Sequence, residues 1–226
     1  MPDYMECNQF DFNREPKRHN TYPLLNEFPN EFHQYVINID DALGDGNCGY
    51  RAIALSLGYN QDNWRQIRTD LYNRLLAHSE MYKMINENDF NSLSRSLNFF
   101  RSGFASTPYW LIMSDVNFLI ANKYGVIVHF LDKKYGSSIC FPLWQGPQDI
   151  PHHESVVIAL FHGAHYVKVD LQGEYLLPTI LSLWRSYRSE HSARWQIMYN
   201  ARLNAYVPPN APRNNFHMQS VEIPDN

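Results

Sequence analysis

Apolar residues recur at helical spacing through the first half of the chain and gather into short β-branched runs in the second, with the change falling at Gly125. Val36, Ile37 and Ile39 form a short apolar run, and the stretch from Gly49 to Leu57 is apolar enough for a buried helix that stops at Gly58. Trp64, Ile67, Leu71 and Leu75 repeat every three or four residues behind two capping candidates, Asp62 and Asn63, and predict an amphipathic helix. Met81, Met84 and Ile85, then Leu93, Leu97 and Phe100, predict one or two more, with Asn86, Asn88 and Asn91 weakening the join. A turn or helix start is expected at Thr107-Pro108-Tyr109-Trp110, and Ser114-Asp115 can cap a helix through Phe118, Leu119 and Ile120. From Val126 to Leu131 the chain reads as a strand, with Ser137 to Phe141 paired to it across the 132–136 turn. Ser155 to Phe161 and Tyr166 to Leu171 read as a hairpin around His162-Gly163-Ala164-His165. Helices ahead of clustered strands predict an α+β domain, a small central sheet flanked by helices.

The ends differ in texture. Residues 1–34 are polar, aromatic and interrupted by Pro16, Pro23 and Pro29, which predicts an arm lying on the domain. The domain proper is placed at 35–173. A helical extension follows at 174–206, where Pro178 can open a helix carrying Ile180, Leu183, Trp184 and Tyr187, and Trp195, Met198, Tyr199 and Arg202 suggest another. From 207 to 226 prolines, asparagines and charges predict a disordered tail.

Composition narrows the function classes. With 226 residues, 44% hydrophobic, the chain can build one domain with a full core. A formal charge of −4 offers no basic surplus, so nucleic acid is not an expected partner. Cys7, Cys48 and Cys140 are too widely spaced for a disulfide framework or a C-x-x-C metal site and fit a reducing compartment. No apolar run resembles a signal peptide or a membrane span, so no membrane partner is expected, and an intracellular setting, cytoplasmic or nuclear, is.

Chemistry concentrates at Asp45-Gly46-Asn47-Cys48, where a tight turn runs into the apolar helix. A cysteine beside such a helix is ordinarily a packing residue. An Asp-Gly-Asn turn is unnecessary for packing, whereas a nucleophile needs an exposed sulfur, nearby N–H donors and the positive end of a helix, which favours a thiolate. Among ten histidines, His19, His33, His78, His191 and His217 read as solvated, and His129, inside an apolar strand, as a hydrogen-bonded interior residue. His152-His153 and the His162–His165 spacing raise metal binding, but no Cys or carboxylate set completes four ligands, so neither metal nor cofactor is expected. His165 opens a strand directly after a turn, its ring free to meet a residue distant in sequence.

Asp45-Gly46-Asn47-Cys48-Gly49-Tyr50-Arg51-Ala52 resembles the cysteine box of the ovarian tumour (OTU) family of cysteine proteases, and His165-Tyr166 its histidine box. Trp110, the helix from Ser114 to Tyr124 and the strand from Val126 to Leu131 resemble the family's middle segment, and the Gly49-Tyr50 variant and the Trp184 to Arg202 stretch look most like OTU-like segments of mobile-element-related proteins. The resemblance implies a papain-like fold and a deubiquitinase hydrolysing the bond at the carboxyl terminus of ubiquitin, of polyubiquitin or of a similar modifier. It assigns Cys48 as nucleophile and His165 as base, with Asp45 acting through the turn whose amides hold the oxyanion, and with Trp110 and Tyr166 as walls of a narrow substrate channel. Arg51 is expected to anchor the helix or a loop. The family's third residue, two positions from the histidine, is absent: Val167 and Gly163 stand there. Asp40, Asp41 or a backbone carbonyl are left to orient the ring. The alternatives to a deubiquitinase are a weak or inactive ubiquitin-binding module and a polyprotein-processing protease.

Overall fold

A computed structural model describes residues 24–86, 89–150 and 152–208, with the side chain of Ser114 excepted. Most of the expected arm, with Cys7, Pro16, His19 and Pro23, and the expected tail from 209 onward, with His217, lie outside the described residues.

Among the described residues, six strands form one mixed sheet in the order β1-β5-β4-β2-β3-β6. These are β1 (Val36–Asp41), β2 (Ile127–Leu131), β3 (Ser138–Cys140), β4 (Ser155–Phe161), β5 (His165–Leu171) and β6 (Thr179–Ile180). Only β2/β4 and β3/β6 are parallel; the other neighbours are antiparallel. The helices are α1 (Cys48–Ser56), α2 (Trp64–Ala77), α3 (Ser79–Ile85), α4 (Phe90–Leu97), α5 (Met113–Tyr124), α6 (Ser182–Tyr187), α7 (Glu190–Met198) and α8 (Asn200–Asn204). The fold is α+β, a central sheet flanked by helices.

Alternation along the strands splits the core in two. Val156, Ile158 and Tyr166 pack with α1, α2 and α5 in the larger cluster. Val157, Ala159, Phe161, Val167 and Val169 point the other way, onto Phe28, Phe32 and Tyr206. Two segments distant in sequence thus close the second face, with Phe32 and Tyr206 stacked at 6.1 Å.

After Gly173 the chain departs from an all-helical reading. Pro178 precedes a strand, not a helix, and Ile180, 3% exposed, extends the sheet beside Ile139 before α6 begins at Ser182. A proline has no N–H to give a ladder, but it tolerates the position just before a short edge strand. Trp184 and Trp195 then bury against Phe141 at 5.4 and 5.5 Å, and their indole N–H groups donate to the carbonyls of Pro142 and Gln145. This segment shares the main core.

Candidate active site

Cys48 is the first residue of α1, and its position is set by the turn in front of it. Gly46 holds φ at +77°, and a Cβ there would lie 2.0 Å from the Ala105 carbonyl oxygen and 2.9 Å from Trp110 Nε1. Only glycine combines that backbone with that approach. The strand-like contact is completed by the Ala105 N–H donating to the Asp45 carbonyl at 2.9 Å, and Trp110 Nε1 donates to the Ala105 carbonyl at 2.9 Å. Trp110 therefore braces the segment that braces the turn.

Asp45 organises the turn from inside. Its carboxylate accepts the Asn47 N–H at 3.0 Å and receives Arg51 at 3.2 and 2.7 Å. Burial opposes its charge, but the hydrogen bonds from Arg51 and Asn47 outweigh that and hold Asp45 below the usual carboxylate range. Arg51 also reaches the Asp62 carboxylate at 3.0 Å and the Gln61 carbonyl, so it ties α1 to the loop before α2. Of the four amides expected to serve an oxyanion, Asn47 gives its N–H to Asp45 and Asp45 gives its own to Leu43. Gly46 and Cys48 are left for that task.

His165 opens β5 after a turn in which His162 and Gly163 both take left-handed backbone, φ 49° and 69°, and the Ala164 N–H closes onto the Phe161 carbonyl. Across the sheet edge, β1 ends at Asp41, paired in register with Val167. That register brings the Asp41 carboxylate 2.7 Å from His165 Nε2. Asp40, one residue earlier and on the alternate side, accepts from Lys168 at 2.8 Å instead. Of the groups left open by the sequence, Asp41 is the one on the ring. Cys48 also acts on the His165 ring, and with Nε2 on Asp41 the Nδ1 edge is the one left to face it; a Cβ on Gly44 would sit 3.9 Å from that Nδ1. The bond to Cys48 first, and then the bond and charge of Asp41, outweigh partial burial and push His165 up to about 9.

Two expectations need correction. Cys48 is only 6% exposed, so the sulfur is not open as a nucleophile was expected to be; Leu111 lies over Gly49, closer than any Cβ would tolerate. Tyr166, expected as a channel wall, is 7% exposed and donates its hydroxyl to the Leu111 carbonyl at 3.1 Å. It supports the cover instead of lining a channel. Cys140 is buried, which pushes its thiol well up and leaves it inert.

Arg68 is the residue that sequence reading missed. Fully buried on α2, it stacks on the Tyr50 ring at 3.7 Å and donates to Asn47 Oδ1 at 2.8 Å, to the Tyr109 carbonyl at 2.9 Å and to the Ser96 carbonyl. Burial lowers its pKa. Its signal was an arginine at position 68, inside the stripe marked by Trp64, Ile67, Leu71 and Leu75.

No protein-family model matches the chain, and no curated protein does. Among solved structures it is similar to the OTUD1 OTU domain, with 18% identity and a TM-score of 0.42 over 58% of this chain and 83% of that one. It is also similar to viral OTU domain proteases from Dera Ghazi Khan virus (13% identity, TM-score 0.43, 63% and 85% covered) and Qalyub virus (14%, 0.43, 62% and 87%). At this level the likeness concerns the fold alone, and function rests on the chain's own residues.

Proposed function

We propose that this chain is a cysteine hydrolase acting on the carboxyl-terminal peptide or isopeptide bond of ubiquitin or a similar modifier. The observation that carries the reading is His165 with the Asp41 carboxylate 2.7 Å from Nε2 and its pKa raised by Cys48, a cysteine at a helix start. Cys48, its proton passed to His165, attacks the carbonyl carbon, and the oxyanion is held by the amides of Gly46 and Cys48. The imidazolium then protonates the departing amine, leaving a thioester on Cys48. Water, deprotonated by His165, attacks that thioester and regenerates the thiol. Asp41 touches neither substrate nor sulfur; it orients the ring and stabilises its charge. A modifier ending in an extended glycine pair suits a cysteine this buried, because it brings the least side-chain bulk to it.

The test is a ubiquitin bearing a carboxyl-terminal electrophile. Intact protein is expected to gain one ubiquitin mass, and Cys48→Ala none, while ubiquitin chains are cut by the former only. No adduct on folded wild-type protein, or an adduct that survives Cys48→Ala, would overturn the assignment. Binding of unmodified ubiquitin without any adduct would leave the inactive-module alternative in its place.

A further inference from the structure

A cavity of about 720 Å³ lies on the second face of the sheet, away from Cys48, between β2, β4, β5 and the C-terminal helices. His129, Arg202 and Tyr175 line it, with an apolar remainder that includes Val157, Val169 and Met198. His129 lies beside Val157 in the β2/β4 register, so it belongs to the same row of side chains. The ring was expected to be a hydrogen-bonded interior histidine. Instead it is fully buried, and among the described residues neither of its nitrogens has a hydrogen-bond partner.

Arg202 repeats the pattern. Its Nε donates to the Tyr175 carbonyl at 2.8 Å and lies 3.6 Å from the Glu174 carboxylate, a group 82% exposed and screened by solvent. Its Nη2 is buried and unpartnered among the described residues. Native proteins seldom leave buried donors unsatisfied, and here two belong to one cavity. The other carboxylate on the lining, Asp170, is already taken by Lys168 and Asn38. Burial first, and then the charge of Arg202, push His129 down to about 3, so near neutral pH it is uncharged and offers one N–H.

We propose that this cavity binds a small molecule carrying a carboxylate or phosphate on an apolar body, the acidic oxygens accepting from Arg202 Nη2 and the His129 N–H. A guanidinium is the natural partner for either anion, and the apolar lining with Tyr175 and Tyr199 takes the rest. Histidine–aromatic packing supports the same geometry: Tyr175 meets His129 edge-on at 5.4 Å, and Arg202 stacks over Tyr175 at 4.2 Å.

The experiment titrates the full chain with benzoate, phenyl phosphate, inorganic phosphate and, as the uncharged control, benzyl alcohol. Binding is read from the His129 ring resonances by NMR and from calorimetry. A saturable His129 shift is expected with benzoate or phenyl phosphate, whichever head fits, and affinity at least about tenfold weaker for benzyl alcohol and for Arg202→Gln. Inorganic phosphate is expected to bind more weakly than phenyl phosphate. No saturable shift with either aromatic anion, or equal affinity for the alcohol, overturns the proposal, and the wild-type comparison decides even if Arg202→Gln fails to fold. Adduct formation at Cys48 is measured on the same protein, so failure here and failure of the hydrolase reading are separate results.

Discussion

Asp41 and His165 are 124 positions apart, yet their 2.7 Å contact, after Cys48, raises the pKa of the ring. Because Asp41 contributes both a hydrogen bond and charge to a ring held near 9, replacing it with asparagine should lower that value toward 6.5. The sign follows from the leaving-group step, which needs the imidazolium. Activity of the wild type on ubiquitin chains should decline on the alkaline side near pH 9, and in Asp41→Asn the decline should begin at lower pH, with kcat reduced roughly 10- to 10²-fold. A pH–rate profile for both proteins checks this, and an unmoved alkaline limb would remove Asp41 from the role. Gly46→Ala is the second residue-scale prediction. It forces a side chain into left-handed backbone and against the Ala105 carbonyl, so it should cost about 1–3 kcal/mol in urea melts and abolish adduct formation even where the protein remains folded.

At the scale of elements, α2 holds the catalytic turn through one side chain. Arg68 satisfies Asn47, Ser96 and Tyr109 at once, and its bonds to Asn47 and Ser96 are buried, where water does not replace the arginine. Arg68→Met should cost roughly 3 kcal/mol or more and lower the rate as well, because Asn47 sits between Asp45 and Cys48; Arg68→Lys should recover little, lacking the fork. Chemical denaturation with parallel rate measurements separates the two effects. Much of this architecture was legible in the chain. The Asp45–Cys48 turn, the helix behind it and the hairpin that presents His165 carry local signals in glycine, asparagine and β-branched residues. What was not legible arises from pairing across the sheet. Which of Asp40 and Asp41 meets the ring depends on the register of β1 on β5, and a one-residue slip would exchange them. Likewise, Pro178 reads as a helix opener until Ile180 is seen to find a partner at Ile139.

For the molecule as a whole, two histidines in opposite surroundings give stability opposite dependences on pH. His165 is held up to about 9, above the 6.5 of an unfolded histidine. Its contribution is complete below 6.5 and is lost as pH rises from there through 9. His129 is held down to about 3 by burial and then by Arg202, so between 6.5 and 3 the unfolded chain takes up a proton that the folded chain refuses, and stability falls as pH drops through that window. The groups around His129 do not reverse this, since Glu174 is directed at Arg202 and Asp170 at Lys168. Urea midpoints should therefore be highest near pH 6.5 and decline on both sides. His129→Leu should flatten the acid limb while leaving the alkaline one, because it removes the refused proton and the unpartnered ring nitrogens together. Cys48→Ala should flatten the alkaline limb and leave the acid one, since Cys48 is the largest cause of the raised value at His165. If both substitutions shift the midpoint equally at every pH, neither histidine is titrating as its surroundings require. A limb that responds to the wrong substitution would instead place the proton on the other histidine.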